Sequence, residues 1–149
     1  MNITGQKVRI REVGPDDFTR VAAWRQDEEI TALDIAAGNV FNTQVYSIET
    51  LGKVHIGTCS LYNHAPTEIQ LGIMIGDKDY WNKGYGTDTV SLLTSYALAT
   101  LSIERVWLKV LPLNKRAIRC YEKCGFSCSG RLALNGYEFI TMEIRKQGL

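Results

Sequence analysis

The stretch Asp79-Tyr-Trp-Asn-Lys-Gly-Tyr-Gly-Thr-Asp88 joins an apolar run at residues 69–75 to an amphipathic segment at residues 87–101. This order predicts a strand, a glycine loop and a helix. Two glycines one residue apart let the backbone turn its N–H groups inward, and a helix start adds unpaired N–H groups and a positive dipole end. Such a loop suits a diphosphate. A tight turn without a ligand is the alternative, and the dinucleotide fingerprint is excluded because Thr89 replaces its third glycine.

The bulk properties of the chain indicate a globular protein with no broad attraction to nucleic acid or membrane. Its 149 residues fit a single domain, residues 1–149, with 45% hydrophobic and 22% charged residues and a formal net charge of +1. No apolar run reaches the length of a membrane span, and residues 1–11 are too polar for a signal peptide. We therefore expect a cytoplasmic protein.

The four cysteines favour free thiols over a metal site. Cys120, Cys124 and Cys128 are spaced by four, and Cys59 is distant in sequence. A zinc site favours close pairs such as C-x-x-C with a second pair or with histidines, and no such pattern is present. We expect no metal, and reduced cysteines as in other cytoplasmic proteins.

The periodicity of apolar residues predicts an α/β fold with a sheet of mixed direction and helices on its faces. The elements follow the order βαα-βββ-α-β-α-ββ. Predicted strands span residues 8–13, 45–49, 55–62, 68–76, 105–111, 130–134 and 137–144. The first predicted helix starts at Pro15, and the second lies within residues 27–39. The third helix spans residues 87–101, and the fourth runs from Asn114 to a stop at Gly125. Val90, Leu93, Ala97 and Leu101 are predicted to form the inner face of the third helix.

A second motif gives the glycine loop a family context. The segment Asn114-Lys-Arg-Ala-Ile-Arg-Cys-Tyr-Glu-Lys-Cys-Gly-Phe126 closely resembles the N-x-x-A-x-x-x-Y-E-K-x-G-F block of the GCN5-related N-acetyltransferases (GNAT). The segment Trp81-Asn-Lys-Gly-Tyr-Gly-Thr87 is similar to their acetyl-CoA pyrophosphate loop, Q/R-x-x-G-x-G/A, with Trp81 where Gln or Arg is commonest. That departure is typical of the branch resembling ribosomal-protein N-terminal and spermidine acetyltransferases. The resemblance covers about residues 8–144.

The resemblance implies a GNAT fold, in which a mostly antiparallel sheet splays apart where acetyl-CoA lies, with helices on both faces. Backbone groups of Met74, Ile75 and Gly76 would pair with the pantetheine arm, and Asn114 would contact the pantetheine or the acetyl region. The pyrophosphate would be held by the amides of Asn82, Lys83, Gly84, Tyr85, Gly86 and Thr87. We expect the carboxylate of Asp88 to point outward, away from the phosphates, where it complements the helix dipole.

The reaction implied by the resemblance is direct attack of an amine on the thioester. Tyr121 is the candidate general acid, because a phenol with a pKa near 10 stays protonated at neutral pH and can donate to the departing thiolate. A glutamate on the strand before the loop often serves as base in this family, but Gln70 stands at that place. Glu68 lies on the same strand face and is our candidate base, acting through a water, with Glu138 as a fallback. A buried core tyrosine and an exposed strand-start acid are the structural alternatives.

Two functions fit these residues. The first is an acetyl-CoA-dependent N-acetyltransferase that uses a ternary complex and no metal, with a small-molecule amine or a peptide N-terminus as acceptor. The second is an acetyl-CoA-binding sensor or interaction module that has lost catalysis, an alternative that Gln70 favours. An acidic set, Asp27, Glu28, Glu29 and Asp34, suits a cationic acceptor such as a polyamine or an aminoglycoside, although it also fits a solvated helix face. A homodimer is a further expectation from the resemblance.

Overall fold

A computed structural model of the chain describes residues 1–33 and 44–147. The strands of this part are β1 (Ile3–Thr4), β2 (Val8–Glu12), β3 (Val45–Thr50), β4 (His55–Tyr62), β5 (Glu68–Ile75), β6 (Arg105–Val110), β7 (Ser127–Leu134) and β8 (Tyr137–Arg145). The helices are α1 (Pro15–Trp24), α2 (Glu28–Leu33), α3 (Tyr85–Ala99) and α4 (Lys115–Lys123). A short 3₁₀ turn, Lys78–Tyr80, precedes α3.

The strands form one sheet in the order β1-β2-β3-β4-β5-β6-β8-β7. Every neighbouring pair is antiparallel except β5 and β6, which are parallel. The helix α3 provides the crossover that parallel neighbours require. The predicted α/β class with a mostly antiparallel sheet is thus confirmed.

The parallel pair β5 and β6 separates along its length. Strand β5 stays paired with β4 as far as Ile75, which lies opposite Gly57. Its pairing with β6 consists of three positions: Glu68 with Arg105, Ile69 with Val106, and Gln70 with Trp107. The second half of β5 therefore diverges from β6, and the sheet opens immediately before the glycine loop.

Helix α3 covers one face of the sheet and contacts β2, β5 and β6. Val90, Leu93 and Ala97 are fully buried along this helix, as the periodicity predicts, whereas Leu101 lies beyond its last residue and is only half-buried. Full burial of each Val or Leu side chain contributes about 1.5–3 kcal/mol. The strand residues that belong to the same core are Val8, Ile10, Ile48, Ile69, Leu71, Val106 and Leu108.

Helix α1 is attached to the sheet through a buried carboxylate. It begins at Pro15, as predicted, and Asp17 in its first turn is 2% exposed. The guanidinium of Arg11 donates to both Asp17 oxygens at 2.7 and 3.1 Å, and Ser47 Oγ and the Gly14 N–H donate at 2.7 and 2.8 Å. This network satisfies the charge and links α1 to β2 and β3.

Several predicted boundaries shift in the structure. Strand β7 begins at Ser127, before the predicted residue 130, because Ser127 already pairs with Glu143 of β8 although Ser127-Cys-Ser has little strand propensity. The short strand β1 was not predicted. The helix predicted within residues 27–39 is described as far as α2, and the rest of that segment lies outside the described residues. Within residues 1–33 and 44–147, the helices are too short or too polar to span a bilayer.

Candidate active site

A cleft of about 230 Å³ opens where β5 leaves β6. One wall is the second half of β5, the floor is the glycine loop with the start of α3, and the opposite wall is α4. Its described lining consists of Ile30, Ile73, Met74, Ile75, Tyr80, Trp81, Asn82, Gly84, Gly86, Thr87, Asn114, Arg116, Ala117, Arg119, Cys120, Tyr121 and Lys123. The two sequence motifs thus meet at one site, although a helix and a strand separate them along the chain.

The floor of the cleft is built for an anion. Gly84 is the N-cap of α3 with a φ of 90°, a left-handed conformation that strains any residue with a β-carbon. The first N–H groups of a helix lack intrahelical acceptors and carry the positive end of its dipole. Since Gly84, Gly86 and Thr87 all line the cleft, these donors lie at its floor.

The α4 wall adds positive charge. Arg116, Arg119 and Lys123 line the cleft, and their spacing of three and four places them on one helix face. Among the described residues, none of the three has a carboxylate within 4 Å. The sequence motifs alone predict no site role for these three residues, although their helical spacing is a usable signal.

Trp81 connects the loop to the end of β5. Its indole Nε1–H donates to the backbone oxygen of Ile75 at 2.8 Å, and the guanidinium carbon of Arg116 lies 3.4 Å from the centre of its ring. Burial lowers the pKa of Arg116 below its ordinary value, but the group stays cationic at neutral pH. Trp81 therefore holds both the loop backbone and a charged group of the opposite wall.

Tyr121 lines the cleft from α4 and is 8% exposed. Its ring lies 6.1 Å from that of Phe126, and its backbone oxygen accepts the Phe126 N–H at 3.0 Å. Gly125 between them has a φ of 96°, the left-handed helix stop that the sequence predicts. The Tyr-Glu-Lys-Cys-Gly-Phe block thus fixes the position of the phenol at the end of α4.

The structure brings most of the predicted binding residues to the cleft. Those that line it are Met74, Ile75, Asn82, Gly84, Gly86, Thr87 and Asn114. Asn114 also caps α4, because its Oδ1 accepts the Ala117 N–H at 3.3 Å. Met74 and Ile75 lie on the part of β5 that has left β6, where strand backbone is open to a ligand.

Three other predicted binding residues lie outside the described lining. Gly76 packs beneath the Trp24 indole, and its N–H donates to the Ile56 oxygen at 2.8 Å. The side chain of Lys83 is exposed. The ring of Tyr85 faces Tyr80, at 5.1 Å between ring centres.

The structure does not bring Glu68 to this cleft. Its carboxylate accepts from Arg105 Nη1 at 2.6 Å, at the end of β5 where the sheet is closed. The first β5 residue in the lining of the cleft, Ile73, lies five positions farther along the strand, a distance of about 17 Å. Glu138, the fallback, pairs with Arg131 at 3.1 Å near the exposed β7–β8 turn.

Gln70, which stands in place of a glutamate, is 1% exposed. Its Oε1 accepts from Asn63 Nδ2 at 2.9 Å, while its buried Nε2 has no hydrogen-bond partner among the described residues. The described lining of the cleft contains no aspartate, glutamate or histidine. In the described residues, therefore, no side chain at the cleft is an obvious acceptor for the proton of an amine.

The carboxylate of Asp88 has backbone partners in a distant segment, which the sequence did not predict. Its carboxylate accepts the backbone N–H groups of Gln6, Lys7 and Val8 at 3.2, 2.8 and 3.0 Å. Asp88 therefore faces away from the loop, as expected, but joins the first turn of α3 to the β1–β2 hairpin. No local pattern predicts a contact across some eighty residues.

The part of the chain that the structure describes contains no group of three or more His, Cys, Asp or Glu side chains that could hold a metal ion. The four cysteines are free thiols. Cys59 is buried, and burial raises the pKa of its thiol.

Comparison with known proteins places the domain in a family. A family model described as "Acetyltransferase (GNAT) domain" matches residues 7–127. This match spans more than half of the chain, which therefore belongs to the GNAT acetyltransferase family, as the two motifs predict.

One sequence relative matches part of the chain, whereas two solved structures superimpose on almost all of it. A probable spermine N(1)-acetyltransferase of Bacillus subtilis subsp. natto is 31% identical over 68 residues, which are 46% of this chain and 45% of that protein. The chain thus matches less than half the length of this relative. An acetyltransferase structure from Bacillus anthracis superimposes with a TM-score of 0.86 at 16% identity, covering 97% of this chain and 98% of the other. The aminoglycoside acetyltransferase AAC(6')-Ib, in complex with paromomycin and acetyl-CoA, gives a TM-score of 0.80 at 20% identity, with 95% of both chains covered. These structures establish the fold.

Proposed function

We propose that this domain is an acetyl-CoA-dependent N-acetyltransferase that transfers an acetyl group to a primary amine by direct attack in a ternary complex. One observation carries the proposal: the sheet parts at Gln70, and the opening contains a glycine loop at a helix start, unpaired cationic side chains and a tyrosine. Family membership and the acetyl-CoA complex of AAC(6')-Ib support it.

The charges of the cleft fit the cosubstrate. In the proposal the amides of residues 82–87 hold the pyrophosphate, and the cationic groups of Arg116, Arg119 and Lys123 offset its negative charge. The backbone of Met74 and Ile75 pairs with the amides of the pantetheine arm. The Ile75 oxygen already accepts from Trp81, but a backbone oxygen has two lone pairs and can accept a second hydrogen bond.

Tyr121 acts as the general acid. When the amine nitrogen bonds to the thioester carbon, the carbon–sulfur bond breaks and its electron pair leaves on sulfur. The phenol donates a proton to that sulfur, since it is protonated at neutral pH and lies in the lining of the cleft. Its low exposure favours this role, because solvent then competes less for the proton.

The amine must also lose a proton before it attacks. Glu68 acting through a water is one candidate for this step, although its carboxylate is paired with Arg105 and lies far from the cleft along β5. Because the described lining offers no carboxylate or imidazole, capture of the neutral fraction of the amine is the competing route.

We propose a small polyamine or an amino sugar as the acceptor, with a peptide N-terminus as the alternative. A spermine acetyltransferase and an aminoglycoside acetyltransferase are among the relatives. Of the acidic set, Asp27 is already paired with Lys78 at 2.8 Å, and Asp34 lies outside the described residues. Glu29 also lies 3.9 Å from Lys78 Nζ, so the exposed Glu28 remains as the attraction point near Ile30 at the cleft.

The second candidate function is an acetyl-CoA-binding sensor. Gln70 favours it, because an amide replaces the family's usual carboxylate and is fully buried. The test is release of CoA from acetyl-CoA with a panel of primary amines, beside the rise in melting temperature that acetyl-CoA causes. Amine-dependent release supports the enzyme, and a melting shift without release supports the sensor.

Three expectations complete the proposal: one domain over residues 1–149, a cytoplasmic location and a homodimer. Sedimentation equilibrium of the full chain tests the last. A mass twice that of the 16.7 kDa chain is expected.

A further inference from the structure

Cys120 on α4 and Cys124, the residue that caps the end of this helix, lie one helical turn apart and face the floor of the cleft. Thr87 Oγ1 donates to Cys120 Sγ at 3.6 Å, and Cys124 Sγ donates to the Thr87 backbone oxygen at 3.4 Å. Ser91 Oγ donates to Cys124 Sγ at 3.4 Å. Both thiols therefore contact the first two turns of α3, the helix that follows the glycine loop.

The two thiols also interact with each other. A hydrogen bond from Cys120 lowers the pKa of Cys124 to about 7, and the same bond, together with burial, raises the pKa of Cys120. A thiolate is the reactive form of cysteine, so Cys124 is prepared for oxidation and Cys120 is placed to resolve it. Neither of the other cysteines shares this arrangement: Cys59 is buried, and Cys128 is exposed on β7.

Cys120 connects this pair to the cofactor cleft. It lines the cleft, and a β-carbon added to Gly86 would lie 3.7 Å from its sulfur. Its sulfur thus packs against the second glycine of the loop. Cα atoms four residues apart in a helix are separated by about 6 Å, within the Cα range of a disulfide. Their Cβ atoms are about 5–6 Å apart, more than the roughly 4 Å of a disulfide, so the bond requires the last turn of α4 to shift.

We propose that Cys120 and Cys124 form a peroxide-sensitive dithiol whose oxidation to a disulfide displaces Thr87 and the glycine loop and weakens binding of acetyl-CoA. The inference rests on the proposed function, because it assigns a redox regulation to the same cleft. A sulfur–sulfur bond of about 2 Å draws the two sulfurs together, away from Thr87 and Ser91.

The oxidation is balanced with hydrogen peroxide as the oxidant. The Cys124 thiolate attacks one peroxide oxygen, the oxygen–oxygen bond breaks, and with one proton the products are a sulfenic acid and water. The Cys120 sulfur then attacks the Cys124 sulfur, the sulfur–oxygen bond breaks, and the thiol proton leaves with hydroxide as a second water. Two thiols lose two electrons in total, and peroxide gains them.

The experiment treats the full chain with one equivalent of hydrogen peroxide and follows it by intact mass and peptide mapping. Affinity for acetyl-CoA, which has no free thiol to reduce the disulfide, is measured by calorimetry before and after treatment. We expect a loss of two hydrogens mapped to Cys120 and Cys124, and binding weakened at least about fivefold, the low end of coupling between sites. Dithiothreitol should restore both.

Two variants make the test specific, each compared with its own reduced form. Cys124→Ser should form no disulfide and keep its affinity after peroxide, whereas Cys128→Ser should respond like the unaltered chain. Peptide mapping is also done on the unaltered chain, so the test still works if a variant fails to fold. A disulfide with unchanged affinity, or oxidation confined to Cys128, overturns the inference alone. Failure of the reduced chain to bind acetyl-CoA overturns the proposed function as well.

Discussion

The indole of Trp81 donates a 2.8 Å hydrogen bond to the backbone oxygen of Ile75. This bond closes the segment between the end of β5 and the glycine loop, so the strand that would bind pantetheine and the loop that would bind pyrophosphate are held as one unit. Gln or Arg at this position would carry its donor on a side chain with more rotatable bonds, which loses more entropy when it is fixed. The aromatic ring adds a flat surface for Arg116.

Trp81→Phe should weaken acetyl-CoA binding about fivefold, because it removes one hydrogen bond worth about 1 kcal/mol and keeps a ring for Arg116. Calorimetric titration with acetyl-CoA measures the change. Trp107→Phe is the matched control: its ring also carries an arginine, Arg105, at 5.6 Å, but lies outside the described cleft lining. Equal losses in the two variants would contradict the role given to Trp81.

Gly76→Ala should destabilise the fold, because the added β-carbon would lie 2.0 Å from Trp24 Cδ2. Overpacking of this kind costs about 2 kcal/mol, which in a domain of this size lowers Tm by about 6 °C. In the control Gly52→Ala, the nearest atom is Thr50 Oγ1 at 3.6 Å, an ordinary contact. A melting curve for Gly76→Ala that overlays that of Gly52→Ala would show that Trp24 adjusts freely.

Asp17→Asn should remove part of the pH dependence of stability. The Arg11 guanidinium, with the Ser47 and Gly14 donors, holds the pKa of the Asp17 carboxyl far below its usual range. Because the folded pKa is depressed, this stabilisation is fully present above the unfolded pKa of about 3.9 and is lost as pH falls towards the folded value.

At pH 7 the Asp17→Asn variant should lose about 3 kcal/mol, as when one partner of a buried ion pair is removed. Urea unfolding between pH 7 and pH 2 should show a gap that is constant down to about pH 5 and narrows below it. Asp16→Asn, with an exposed side chain in the same turn, is the control. A gap that stays constant over this pH range would argue against the ion pair as the source of the stability.

Tyr121→Phe should lower kcat by about a hundredfold or more, the usual effect of losing a general acid, with little change in affinity for acetyl-CoA. Tyr96→Phe removes a hydroxyl from a half-buried helix tyrosine outside the described lining and should leave kcat unchanged. If Tyr121→Phe turns over at the normal rate with saturating substrates, the general-acid assignment is incorrect.

Glu68→Gln should lower kcat/KM less than tenfold if its carboxylate mainly serves the Arg105 ion pair, since it lies outside the described lining of the cleft. The position of Glu68 outside the described lining favours this small loss over the large loss expected of a catalytic base. A rate profile against pH accompanies the measurement. A loss as large as that of Tyr121→Phe, with a missing acidic limb, would instead establish Glu68 as the base.

The features predictable from the sequence are those that neighbouring residues determine. The glycine loop, the cap at Asn114 and the left-handed stop at Gly125 each depend on a short stretch of chain, and the structure has all three. The buried face of α3 follows in the same way from helical spacing.

Contacts between distant segments were not predictable in this way. Asp88 binds backbone some eighty positions away, and Glu68 meets Arg105 only because β5 and β6 pair in parallel over three residues. The same limit explains why Trp81 and Arg116 were not recognised as a pair. Periodicity assigns each residue to a face, but the partner on that face depends on register and crossover.

The most direct test of the account measures CoA chromatographically after mixing the full chain, acetyl-CoA and a panel of primary amines that includes spermine, an aminoglycoside and a peptide with a free N-terminus. The account predicts that at least one amine drives CoA release, with an equal amount of acetylated amine formed. Absence of release with every amine, while acetyl-CoA still raises the melting temperature, would contradict it and leave a binding domain.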